Sequence, residues 1–117
     1  MYRLLVILFA FSTTATAGTI DQAAALEALK RPDAVLIDVR TAEEYAEGAL
    51  PGSIRVGTDE LRTRIGSLAP EKDQPVVLYC RSGRRSSAAQ DFLQQLGYSQ
   101  VFNGGSYEQI RETMQTK

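Results

Sequence analysis

Histidine is absent from the 117 residues, tryptophan is absent too, and cysteine occurs once. Without histidine there is no Cys-His dyad, no Ser-His-Asp triad and no His-ligated zinc site. A single cysteine forms neither an intramolecular disulfide nor a CxxC redox pair. The apolar run from Leu4 to Phe11 has eight residues, where roughly 20 are needed to span a bilayer. Charge of one sign is lacking as well: the formal net charge is −1, which argues against a nucleic-acid partner. The length suits one domain rather than two, and 44% hydrophobic with 23% charged residues is ordinary for a folded soluble protein.

The first residues are set apart from the rest. "MYR" supplies a positive start at Arg3, "LLVILFAF" an apolar centre, and "STTATAG" small residues at Ala15 and Ala17. That is the layout of a secretory signal peptide cleaved after Ala17. The expectation is a leader over 1–17, a mature domain over 18–117 with no membrane segment, and a periplasmic location. An oxidising compartment favours disulfides, so a lone thiol kept there points to a chemical task for Cys80. The alternative is a buried cysteine acting as a small hydrophobe.

Strand and helix signals alternate along the mature chain. "TIDQAAALEALKRPDA" predicts a helix capped by Thr19 or Asp21 and stopped by Pro32. "AVLIDV" (34–39) predicts a buried strand. In "TAEEYAEG", Thr41 and Glu44 fit a capping box and Gly48 the stop. A brief strand is expected near Ile54 to Val56. "TDELRTRIGSL" predicts a helix capped by Thr58 or Asp59, with Leu61, Ile65 and Leu68 on one face. "VVLY" (76–79) is the clearest buried strand. "SSAAQDFLQQLG" predicts a helix with Ala89, Phe92, Leu93 and Leu96 on a common side, closed by Gly97. "QVFN" follows as a short strand, then a glycine turn into a last helix carrying Tyr107, Ile110 and Met114. The alternation predicts an α/β domain with a mainly parallel sheet and helices on both faces.

Cys80 directly follows the run "VVLY", at the carboxyl end of a strand, where open α/β sheets collect their sites. "RSGRR" then turns the chain into a helix, with Gly83 permitting a tight or left-handed turn. Such a turn aims backbone N–H groups and a helix N-terminus at a common point, an anion cradle. A thiol there has its pKa pulled below the ordinary ~8.5. Three of the ten arginines, Arg81, Arg84 and Arg85, add to the field. Together with Ser82 and Gly83 they form the candidate substrate-binding loop around the candidate nucleophile Cys80. A cysteine phosphatase uses a C-x5-R loop. Here Arg85 makes the spacing C-x4-R, a tighter ring that suits one sulfur atom carried on the cysteine better than a phosphoryl group.

Asp38 ends a predicted strand and lies near the same sheet edge. It is placed to pair with Arg85 or Arg40 and pin the loop, or else to cap the following helix. Asp38 and Arg40 are read as support rather than chemistry, because a carboxylate beside a thiolate raises the thiol pKa. Glu43, Glu44 and Glu47 read as a solvated helix face with a first-turn dipole role, and Tyr45 as core.

"LIDVRTAEEYAEGALPGSI" (36–54) followed by "VVLYCRSGRRSSAAQDFLQQLGYSQVFNGG" (76–105) resembles a single-domain rhodanese, and the small exported members of the phage-shock protein E type in particular. The resemblance implies a five-stranded parallel α/β sheet. It implies transfer of a sulfane sulfur from thiosulfate or a similar donor to cyanide or a thiol, through a persulfide on Cys80. No metal and no organic cofactor are implied, and a monomer is expected. The chain departs from the family pattern at Ala49, where many members have histidine, and after the glycine pair, where Tyr107 stands in for a tryptophan. Two other readings compete. One is a non-enzymatic binding or persulfide-carrier module; the other is a cysteine phosphatase or arsenate reductase.

Overall fold

A computed structural model describes residues 19–115; the proposed leader lies outside the described residues. The chain runs α1 (Gln22–Ala28), β1 (Val35–Asp38), α2 (Ala42–Glu47), β2 (Ile54–Arg55), α3 (Leu61–Leu68), β3 (Val76–Cys80), α4 (Arg84–Gln95), β4 (Val101–Ser106) and α5 (Tyr107–Gln115). The strands form one four-stranded sheet in the order β2-β1-β3-β4, with every pair parallel. Ile20 adds a one-residue parallel bridge to Asn103, so the expected fifth strand is reduced to a single residue.

Apolar residues on both sides of each central strand give the sheet two covered faces. Ile37, Val39, Val76 and Leu78 meet Leu61 and Ile65 of α3 and Ala89 and Leu93 of α4. Leu36, Val77 and Tyr79 meet Ala25 and Ala28 of α1 and Ile110 of α5. This alternation is why β1 and β3 read as continuous hydrophobic runs: a strand buried on both faces has no polar side.

Several local signals act as expected. Asp21 caps α1 through its side chain, and Thr41 with Glu44 forms a complete capping box on α2. Others act differently. Helix α1 ends at Ala28, well before Pro32. Helix α3 begins at Leu61 with Glu60 as its N-cap and no side-chain cap, because Glu60 Oε1 accepts from Gly57 N–H instead (3.1 Å). Gly104 and Gly105 lie inside β4 rather than in a turn. The register there slips by one residue, from Leu78 opposite Asn103 to Cys80 opposite Ser106. The glycines absorb this bulge, with Gly105 at φ +89°. At Gly104 a Cβ would stand 2.8 Å from Ile110 Cδ1, so α5 packs directly on bare backbone.

Strand β1 leads to β2 on one side, and β3 leads to β4 on the other. The direction of winding therefore reverses between β1 and β3. Ligand sites of open α/β sheets lie at such a switch point, beyond the carboxyl ends of the strands. Asp38 ends β1 and Cys80 ends β3.

Candidate functional site

Cys80 is the last residue of β3, not the first after it, and α4 begins at Arg84 rather than two residues later. Only Arg81, Ser82 and Gly83 separate strand from helix. Gly83 is the N-cap of α4 and takes φ +91°, a left-handed conformation that a side chain resists. A Cβ at this position would also lie 2.8 Å from Ile20 Cδ1. Arg84 and Arg85 form the first turn of α4, where the positive end of the helix dipole disfavours them.

The tight turn folds its amides onto the sulfur. Gly83 N–H donates to Cys80 Sγ (2.8 Å), and Ser86 N–H also faces it (3.4 Å). The residue is 1% exposed. Burial pushes the thiol pKa up. The Ser86 hydroxyl and the amides of Ser86, Ser82 and Gly83 pull it down further, and the net pKa is below that of an ordinary thiol. The thiol is therefore buried as expected of an inert cysteine, yet surrounded by donors as expected of a reactive one.

Behind this cradle stands Asn103 of β4, fully buried. Its Oδ1 accepts from Ser86 Oγ (2.7 Å) and from Gly105 N–H (2.9 Å). Its Nδ2 donates to Ser87 Oγ (2.8 Å). The amide thus has both ends committed, and its orientation is fixed. Ser86 Oγ carries one proton and faces three acceptors: Asn103 Oδ1 at 2.7 Å, Gly83 O at 3.1 Å and Sγ at 3.5 Å. Asn103 Oδ1 makes the shortest of these contacts, so the hydroxyl reaches the sulfur at longer range and the Gly83 amide is the closest donor to Sγ.

At the neighbouring strand end, Asp38 pairs with Arg40 and not with Arg85. Arg40 Nη2 and Nε donate to the carboxylate (2.7 and 3.0 Å), and Arg40 N–H donates to Oδ1 (2.8 Å). Arg40 Nη2 also donates to Gly48 O (2.6 Å). The guanidinium stacks 4.2 Å from the centre of the Tyr107 ring. Tyr107 in turn stacks on Tyr79 (6.0 Å). Both members of the ion pair are buried. The pair fastens the β1–α2 turn to the start of α5. Tyr45 is half-buried and donates to Ser53 O (2.7 Å).

Glu44 is more than part of a solvated face. Its Oε2 meets Arg81 Nη1 (3.4 Å) and its Oε1 meets Arg85 Nη1 (3.6 Å). Arg81 and Arg85 therefore turn outward to Glu44, while the amides face the sulfur. A cavity of about 330 Å³ opens beside this bridge, walled by Arg40, Glu44, Arg81 and Tyr107 among others. Ser86 and Asn103 are the site neighbours that the sequence left unassigned. Glu44 reads there as a helix cap and solvated face, Tyr107 as the stand-in for a tryptophan, and Asn103 carries only the weak signal of a polar residue inside a strand pattern.

Residues 21–113 match the Rhodanese-like domain family. The chain belongs to this family. Over 74 residues it is 36% identical to thiosulfate sulfurtransferase PspE of Escherichia coli, covering 63% of this chain and 71% of that protein. Among solved structures it is similar to an E. coli rhodanese with anions, at TM-score 0.62 and 35% identity, covering 64% of this chain and 88% of the other. It is also similar to the human single-domain sulfurtransferase TSTD1, at TM-score 0.63 and 25% identity, covering 87% and 99%. The rhodanese-like domain thus has sulfurtransferases among its relatives, which supports that class of activity here. Its four parallel strands with helices on both faces agree with the fold of these neighbours.

Proposed function

We propose that this rhodanese-like domain transfers a sulfane sulfur from thiosulfate, or a donor like it, through a persulfide on Cys80. The observation that carries the reading is the convergence of the Gly83 and Ser86 amides on Sγ. These fixed dipoles stabilise negative charge on sulfur without a histidine base.

The Cys80 thiolate attacks the outer sulfur of thiosulfate. The sulfur–sulfur bond of the donor breaks, sulfite leaves with the bonding pair, and a Cys80 persulfide anion remains. An acceptor such as cyanide then attacks the outer sulfur of the persulfide, leaving as thiocyanate and restoring the thiolate. Charge is conserved in both steps, and the covalent intermediate predicts ping-pong kinetics. The amides hold the negative charge, first on Sγ and then on the sulfur attached to it. Arg81, Arg84 and Arg85 attract the incoming dianion, with Ser82 and Gly83 shaping the turn. Asp38 and Arg40 are positioning residues. We further infer that residues 1–17 form a leader removed on export to the periplasm; the mass of protein recovered from that compartment tests this.

Thiosulfate and cyanide supplied to the protein should yield thiocyanate, and Cys80→Ser should yield none. Intact mass after thiosulfate alone should show one added sulfur. Hydrolysis of an aryl phosphate with no thiocyanate would reverse the assignment in favour of a phosphatase.

A further inference from the structure

Glu44 occupies the place between two loop cations that the proposed donor would need. Its carboxylate is anchored from its own helix: Thr41 N–H and Thr41 Oγ1 both donate to Oε1 (2.9 and 3.2 Å). The side chain is only 19% exposed, whereas Arg81 and Arg85 are 80% and 46% exposed. The fixed partner in these pairs is therefore the carboxylate, and the arginines reach across to it. The Thr41 amide bond, set against burial, also holds the carboxyl below its usual range, which keeps it ionised. The sulfur of Cys80, next in sequence to Arg81, is nearly sealed from solvent.

We propose that Glu44 is a specificity-determining residue, an internal anion that holds Arg81 and Arg85 and limits how much negative charge a sulfur donor can bring to Cys80. An anionic donor gains the two guanidinium groups only by displacing Glu44, and it meets the repulsion of that carboxylate on the way. A neutral donor meets neither obstacle. The inference rests on the reading of Cys80 as the reacting atom, but it concerns the charge at the loop mouth rather than the identity of the donor.

Glu44→Gln separates charge from structure. Glutamine also serves at the third position of a capping box, so α2 keeps its N-terminus while the bridge loses its charge. Glu43→Gln removes an exposed carboxylate from the same helix turn and is the control. The probes are iodoacetate and iodoacetamide, which alkylate the same thiolate with loss of iodide and differ in charge. Taking their rate ratio cancels any change in thiolate fraction. Exposed ion pairs of this kind are individually weak. The iodoacetate-to-iodoacetamide ratio should rise roughly threefold to tenfold in Glu44→Gln and stay near wild type in Glu43→Gln. The KM for thiosulfate should fall by a similar factor, with kcat changed less than about twofold. An unchanged ratio in Glu44→Gln, or an equal rise in both variants, overturns the proposal. A raised ratio in a protein that makes no thiocyanate sustains the role of Glu44 and overturns the assigned reaction instead.

Discussion

The two turns at the winding reversal solve one problem in different ways. Each ends a central parallel strand on a group that is negative when ionised, and each leads within a few residues into a helix. At the end of β1 the anion is Asp38, and it receives a guanidinium and an amide from Arg40. At the end of β3 it is the Cys80 sulfur, which receives backbone amides and, at 3.5 Å, the Ser86 hydroxyl, but no cation. A carboxylate closed by a buried cation has its charge fully compensated and little left to offer a ligand. A sulfur held by partial charges keeps, when ionised, most of its charge and a lone pair uncompensated. The contrast suggests why the arginines beside Cys80 are drawn off to Glu44: direct pairing with the thiolate would make the second turn as inert as the first.

That contrast is open to attack at each turn, and the largest effect belongs to the first. Asp38→Ala leaves Arg40 buried without its partner, which should cost about 3–5 kcal/mol of folding stability in urea titration. Cys80→Ser, by comparison, should abolish sulfur transfer with little change in the unfolding midpoint. A loss below about 1 kcal/mol in Asp38→Ala would put the buried pair on a par with exposed ones and erase the distinction.

Gly83→Ala comes next. It forces a side chain into φ +91° and against Ile20, at a cost of about 1–3 kcal/mol. Its effect on chemistry should be comparable in size to its effect on stability. Displacing the amide that meets Sγ should raise the thiol pKa by about one unit, leaving roughly tenfold less thiolate at pH values below both pKa values. Iodoacetamide kinetics measured against pH will read this directly. A wild-type pH profile would mean that the Gly83 amide contributes nothing.

The smallest effect is also the most discriminating. In the wild type, alkylation should titrate with a pKa below the ordinary thiol value of ~8.5. The folded pKa is lowered, so Cys80 contributes its full stability above the unfolded value. That contribution is lost as pH falls through the folded pKa. Ser86→Ala keeps the amide and removes a hydroxyl that lies closer to Asn103 Oδ1 (2.7 Å) than to Sγ (3.5 Å). The thiol pKa should then move by no more than about half a unit. A rise of a unit or more would show that the hydroxyl, and not the backbone, holds the sulfur's charge.

The sequence revealed those parts of the molecule whose causes are local. The capping box at Thr41 and Glu44, the doubly buried runs of β1 and β3, and the apolar side of α4 all announce themselves within a few residues. The start of α4 did not. Two arginines in a first turn go against the helix dipole, so the helix reads as beginning at Ser86 and the turn as longer than it is. The glycine pair in β4 looks like a turn, because only the approach of Ile110 and the register slip explain it as strand. Asn103 meets Ser86 and Ser87 across 17 and 16 positions, and Glu44 meets Arg81 across 37. Contacts of that span are set by the sheet order, which no short window of sequence contains.

Asn103 follows Cys80 along the chain, and Ile20 bridges to it from the other end of the described residues. During synthesis, a ribosome that has made Cys80 has yet to make the residue that steadies the amides around it. The contacts of Asn103 with Ser86 and Ser87 form only once β4 has docked beside β3.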